Sequence, residues 1–168
     1  MKKPSLPILA AAVSGLALIG FSAFADPAPR LVWNVSASAP IGLYRVVFGE
    51  VKRGDLVLVR PSEMIARFAA ERGYLPLGTP LVKRIAALSG DDVCAFKDAV
   101  IVNGRVVARR LEKDGAGWLL PRWNDCRELA GDELFLLMED VQDSFDSRYF
   151  GPVSAVNVIG RLVPLWTE

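Results

Sequence analysis

Residues 81–109, LVKRIAALSGDDVCAFKDAVIVNGRVVAR, decide the reading of the fold. By period alone Leu81 to Leu88 suits a helix or a strand; Val82 and Ile85 are β-branched and favour a strand. Two short β-rich runs follow, Val93 to Phe96 and Val100 to Val102. Asn103-Gly104 then sits before a returning run, Arg105 to Arg109. A two-residue hairpin turn that matches strand twist needs positive φ at both central positions, and Asn-Gly supplies it. The segment therefore predicts consecutive antiparallel strands.

The pattern extends on both sides. Gly42 to Phe48 and Leu56 to Arg60 read as strands, with Lys52-Arg53-Gly54-Asp55 as the turn between them. Pro61-Ser62 begins a helix that runs through Arg72, with Ser62 as N-cap and Gly73 as its stop. Residues Leu111 to Gly131 are rich in Gly, Asp and Trp without a clean period, and read as a long loop of the kind that covers a site. Glu133 to Met138 and Val156 to Val163 complete the strands. A mainly β domain with one short helix is expected.

The 168 residues suit one such domain with a real core. A hydrophobic share of 52% and a charged share of 23% exclude a disordered polar chain. The net charge of +1 offers no nucleic-acid footprint. Histidine is absent altogether. That removes the Ser-His-Asp and Cys-His relays and every imidazole ligand, so an enzyme here must move protons with a carboxylate, a lysine or a tyrosine.

The N-terminus reads separately. Lys2 and Lys3 precede 22 uncharged residues, Pro4 to Ala25, which end in Ala23-Phe24-Ala25 before Asp26. The length suffices to span a bilayer, whereas Ala-x-Ala is the pattern of a cleavable signal. A retained single-pass anchor and a removed leader both stay open. In either case residues 26–168 form the exported domain, and Asp26-Pro27-Ala28-Pro29 is a stiff linker into it. Without Lys2 and Lys3 the 20 basic residues become 18 against 19 acidic, a net −1. Export also lets Cys94 and Cys126 persist as a disulfide; two unpaired, buried thiols are the alternative.

Three segments combine small polar residues with tight turns: 34–44, NVSASAPIGLY; 81–91, LVKRIAALSGD; and 143–152, DSFDSRYFGP. Alone, the first is an ordinary turn, the second a lysine with a snorkelling stem, and the third a solvated Asp146/Arg148 pair. Together they suggest more. Without histidine, a serine nucleophile is activated most simply by a lysine. A lysine at its ordinary pKa of about 10.4 is neutral in roughly one molecule in a few thousand at pH 7. Burial lowers that pKa by up to about 3–5 units, and Val82, Ile85 and Leu88 offer Lys83 such a setting.

On these residues the chain resembles the signal peptidase I family of membrane-bound serine endopeptidases, most of all its conjugative-transfer TraF branch, which processes pro-pilin. Lys83-Arg84 with Leu88-x-Gly90-Asp91 resembles the family's base-bearing box. Ser144-x-Asp146-Ser147-Arg148-Tyr149 with Gly151 resembles its C-terminal box. General signal peptidases carry methionine after the nucleophile; here Ala39 follows Ser38 and Pro40 comes next, as in the conjugative branch. Ala87 and Ser89 replace the Gly and Pro of the base-bearing box.

The resemblance implies a fold of coiled antiparallel β-sheets at the membrane surface. It makes Ser38 the nucleophile and Lys83 its general base. Ser36 and the Ser38 N–H become the oxyanion hole, and Ser144 the group that orients the lysine. Arg84, Asp146 and Arg148 form a supporting ion-pair cluster. No cofactor or metal is implied. The implied partners are the membrane, an exported pro-protein such as a pro-pilin, and components of a conjugation or type IV secretion apparatus. The implied location is the bacterial inner membrane with the domain in the periplasm, or the periplasm alone if the leader is removed. Hydrolysis of the acyl-enzyme and pilin cyclisation both stay open. General signal peptidase activity, an SOS-repressor-like self-cleaving protease and a non-catalytic β-domain of a secretion channel are the competing readings.

Overall fold

A computed structural model describes residues 6–24 and 28–168, with side chains described for 6–21 and 28–168. Lys2, Lys3, Ala25, Asp26 and Pro27 lie outside the described residues, and with them the charged flank, the end of the Ala-x-Ala pattern and the start of the linker. The first element, α1, spans Leu6–Phe24, 19 residues with no charged side chain. Among the described residues no helix is long and apolar enough to cross a membrane. The large apolar side chains of α1, including Leu6, Ile8, Leu16 and Phe21, are exposed.

The rest is mainly β. Strands β1 (Leu31–Asn34), β2 (Gly42–Val47) and β3 (Leu56–Val59) precede helix α2 (Glu63–Glu71). Then come β4 (Leu81–Ala87), β5 (Asp92–Phe96), β6 (Ala99–Val102), β7 (Arg105–Arg109), β8 (Cys126–Glu128) and β9 (Glu133–Leu137). A short helix α3 (Ser147–Phe150), β10 (Val153–Ser154), a 3-10 turn (Ala155–Asn157) and β11 (Val158–Thr167) close the chain. They form two antiparallel sheets, one in the order β1-β2-β11-β3-β4-β9-β10 and one in the order β7-β6-β5-β8. Register shifts at Ile85/Ala87, Val158/Gly160 and Pro164/Trp166 curl the larger sheet.

Continuous apolar runs mark strands with both faces covered. In β3, Leu56 and Leu58 pack with Tyr44, Val46, Val82 and Leu162, whereas Val57 and Val59 pack on the other side with Ile85, Leu134, Leu136 and Val153. A third cluster joins the sheets, with Ala86, Ala87, Phe135 and Leu137 against Val93, Val100 and Ala108. Lys83 therefore stands on an interior strand flanked by β3 and β9, with no solvent-facing edge.

Helix α2 starts as expected: Ser62 Oγ accepts from the Ile65 N–H at 3.4 Å, and Gly73 follows the C-cap at φ +70°. Five elements differ from the sequence reading, the two-residue strand β10, which was not expected, among them. Strand β1 was not foreseen; it is a four-residue edge strand, LVWN, too short to show a period, and its Leu31 and Trp33 stay exposed. Strand β8 lies inside the expected 111–131 loop and pairs with β5 through Cys94 opposite Cys126, which form a disulfide. Helix α3 adds a second short helix to the domain. Strand β11 begins two residues later than expected, after a turn capped by Ser154, and runs on to Thr167.

Candidate active site

The loop between β1 and β2 carries Ser36 and Ser38. Side chains rather than a backbone ladder hold it. Buried Asn34 accepts from the Ser36 N–H at 3.1 Å, and its Nδ2 shares two protons among the carbonyls of Ser36, Ala39 and Pro40, each at 3.0 Å. The Tyr44 hydroxyl donates to the Pro40 carbonyl at 2.7 Å. Ala39 sinks into the core beside Tyr44, which leaves Ser38 at the rim.

Across from the loop, β4 aims Lys83 into the interior, with only 4% of the residue exposed. Its Nζ lies 3.2 Å from Ser38 Oγ and 2.7 Å from Ser144 Oγ. Ser36 Oγ is 2.9 Å from Ser38 Oγ, and the Ser38 N–H points at Ser36 Oγ across 3.4 Å. Burial lowers the Lys83 pKa to about 8; Asp146 and Asp143 raise it in part and Arg148 lowers it further. At pH 8 about half the molecules thus hold a neutral amine beside a serine hydroxyl, which is the requirement for a lysine base.

Ser144 is placed by the C-terminal segment, which the isolated reading took for a solvated turn. The structure buries it: Asp146 and Ser147 have no exposed surface and Arg148 is 1% exposed. Arg148 Nε donates to Asp146 Oδ1 at 2.8 Å and its second terminal nitrogen to Oδ2 at 3.0 Å, a two-pronged pairing. The remaining three guanidinium protons are shared among the carbonyls of Arg109, Met138, Val141 and Gln142. Asp146 also accepts the N–H groups of Met138 and Arg148, capping α3, and Ser147 Oγ accepts the Leu136 N–H. The pair thus ties α3 to the turn after β9, which leads into Ser144, and to Arg109 of β7.

Arg84 does not join that cluster, contrary to expectation. Successive side chains of a strand point to opposite faces, so turning Lys83 inward turns Arg84 away. Its exposed guanidinium instead donates to the Gly54 carbonyl.

Two cavities flank Ser38. One, of about 370 Å³, lies beside Lys83 and Ser144 and is walled by Tyr74, Phe145 and Tyr149 with Asp114 and Asp143. The other, of about 350 Å³, is apolar, lined by Leu31, Val32, Leu58, Leu75, Leu81 and Val82. The 111–131 segment does reach the site: Leu111, Asp114, Gly115 and Leu120 line the first cavity. Asp114 Oδ1 accepts the N–H groups of Ala116 and Trp118 and shapes a small turn closed by a Lys113–Leu119 bridge. The Tyr74 hydroxyl donates to Asp114 and anchors that turn to the segment that follows α2; burial, and then this bond, pushes the Tyr74 pKa up to about 12.

Asn34, Tyr44, Tyr74 and Phe145 were not singled out from sequence for these roles. An Asn closing a β run two residues before a serine was the available signal for the first.

The Signal peptidase, peptidase S26 family model matches residues 5–166. The plasmid transfer protein TraF of Escherichia coli is 35% identical over 144 residues, covering 80% of this chain and 81% of that protein. The conjugal transfer protein TraF of Agrobacterium tumefaciens (strain 15955) is 36% identical over 146 residues, covering 80% and 81%. Among solved structures, a signal peptidase I from Enterococcus faecalis V583 is 20% identical, with 70% of this chain and 100% of that chain covered at a TM-score of 0.42. The chain belongs to the signal peptidase (peptidase S26) family, in which its relatives include the conjugal transfer TraF proteins.

Proposed function

We propose that this chain is a membrane-associated serine endopeptidase that removes a leader or terminal segment from an exported pro-protein, a conjugative pro-pilin. The observation that carries the reading is the Ser38–Lys83–Ser144 chain of contacts, at 3.2 and 2.7 Å, around a buried amine whose pKa is lowered to about 8.

Neutral Lys83 takes the Ser38 proton as Oγ bonds to the scissile carbonyl carbon. The Ser38 N–H and the Ser36 hydroxyl, which contact one another in the free site, turn to the developing oxyanion, a contribution of roughly 3 kcal/mol per donor. The C–N bond breaks, Lys83 returns its proton to the departing amine, and an acyl-enzyme remains. Water, or a second amine such as the substrate's own N-terminus, then attacks that ester. Ser144 holds Nζ on the line to Ser38 throughout. The apolar cavity suits small or aliphatic side chains before the cleaved bond.

Residues 1–25 serve as the export segment or anchor, and residues 26–168 act on the exported side at the membrane. The uncharged α1, with its exposed leucines, isoleucine and phenylalanine, supports this placement. So does the disulfide, which suits an oxidising compartment.

The test is processing of a candidate pro-pilin by wild type, Ser38→Ala and Lys83→Ala, read by intact mass. The expected result is processing by wild type alone. A product lighter by one water than the linear form identifies cyclisation, and the linear mass identifies hydrolysis. Normal processing by Ser38→Ala overturns the assignment, and a non-catalytic channel component then explains the chain better.

A further inference from the structure

We propose that Asn34 is a positioning residue for the reaction: it sets the spacing between Ser36 and Ser38. The inference rests on the peptidase reading above. A single buried carboxamide contacts four backbone groups of one seven-residue loop, and those groups bracket the nucleophile. On the near side, Asn34 Oδ1 accepts the Ser36 N–H at 3.1 Å and Nδ2 donates to the Ser36 carbonyl at 3.0 Å. On the far side, the same Nδ2 donates to the Ala39 and Pro40 carbonyls, each at 3.0 Å. Residues 37 and 38 hang between these pins. The short backbone contact across them, Ala39 N–H to Ser36 carbonyl at 3.3 Å, closes a turn that the carboxamide ties at both ends.

This arrangement decides where the two catalytic oxygens lie. Ser36 and Ser38 come from a loop without strand pairing, yet their Oγ atoms stand 2.9 Å apart and Ser36 Oγ faces the Ser38 N–H. Oxyanion stabilisation depends on donors fixed within a few tenths of an ångström of where charge develops. Lys83 and Ser144 are placed by other elements, so Asn34 governs the oxyanion side and leaves the base alone. Ala in its place removes all four contacts. Asp keeps the shape and the Oδ1 acceptor but turns an oxygen, instead of a donor, toward three carbonyls.

The test is a double-mutant cycle between Asn34 and Ser36 in the full chain in detergent. The probe is whichever internally quenched peptide of a random decapeptide library wild type cuts fastest, with the pro-pilin as second substrate. Asn34→Ala is expected to lower kcat about 100-fold, the scale of a lost oxyanion donor, with KM changed less than about threefold. In a Ser36→Ala background the same substitution is expected to cost less than about threefold, because the geometry it supports is already gone. The alkaline rise of kcat with pH should keep its midpoint, since Lys83 is untouched. A purely structural Asn34 gives the same factor in both backgrounds, and that result overturns the proposal. If Asn34→Ala melts below the assay temperature, Asn34→Asp takes its place in the cycle with the same criterion. If wild type cuts neither the library nor the pro-pilin, the peptidase reading itself falls and Asn34 has no reaction to serve.

Discussion

Lys83 Nζ lies 3.2 Å from Ser38 Oγ, across 45 residues of sequence, because β4 and the β1–β2 loop converge over the interior of the larger sheet. The same nitrogen is 0.5 Å closer to Ser144 Oγ, at 2.7 Å. The amine is thus held by one serine and faces the other. Only its neutral form can accept a proton. Peptidase activity is therefore expected to rise with pH about a midpoint near 8 and to level off above it, with no earlier imidazole step. A kcat/KM profile from pH 6 to 10 checks this, and a flat profile with chemistry rate-limiting would sink it.

The buried amine also weakens the fold. Its pKa is lowered from 10.5 to about 8, so between those values the unfolded chain holds a proton that the folded one lacks. Stability contributed by this group rises with pH across that window, and below about pH 8 the fold bears the full cost of burying the charge. Lys83→Met should therefore abolish activity while stabilising the protein at pH 7 by up to about 3 kcal/mol, an advantage that fades between about pH 8 and 10.5. Urea denaturation at pH 7 and pH 10.5 measures it.

Asp146 and Arg148 fail in the opposite sense. Removing either partner strands a charge or its hydrogen-bonding partners inside, at a cost of about 3–5 kcal/mol. Asp146→Ala and Arg148→Ala should lower the melting temperature strongly. Arg148→Lys should not restore it, because an ammonium cannot reach both Asp146 oxygens and the four carbonyls together.

Gly42 is expected to tolerate no side chain. A Cβ there would sit 2.1 Å from the Trp166 carbonyl oxygen, a backbone atom of β11 beside the Pro164/Trp166 register shift. Gly42→Ala should destabilise by more than about 1 kcal/mol and loosen the β2–β11 pairing. Thermal melts and amide exchange at Leu43 and Thr167 would reveal it; an unchanged melt contradicts it.

The Cys94–Cys126 bridge joins β5 to β8 across 32 positions. A loop of that size is worth roughly 3–4 kcal/mol in the chain-entropy model. Cys94→Ala with Cys126→Ala should lower stability on that scale. Equal melts for the double variant and wild type under oxidising conditions would refute it.

Where periodicity and turn chemistry speak locally, the sequence was legible. Asn103-Gly104, Ser62 and the apolar runs of β3 and β4 mark their elements because the relevant contacts are near in sequence or depend on a repeat. Ser38, Lys83 and Ser144 were legible through resemblance to a family, and the structure brings them together. The burial of Asp146 and Arg148 was not readable from their spacing, since it depends on carbonyls from β7 and from the turn after β9. Arg84 was misplaced although strand alternation alone separates it from Lys83. Asn34 was hidden because its four partners make sense only once the loop is closed.

The interior position of β4 has a consequence for motion. Amides of Lys83 and its neighbours are paired on both sides, by β3 and β9, whereas the segment bearing Ser38 is restrained chiefly by the Asn34 carboxamide and the Tyr44 hydroxyl. In hydrogen-exchange terms the Lys83 amide should belong to the slowest class of the molecule and the Ser38 amide to a faster one. On the proposed reading, an arriving substrate would meet a fixed amine and a serine on a more yielding loop, so accommodation of different chains would come from the serine side.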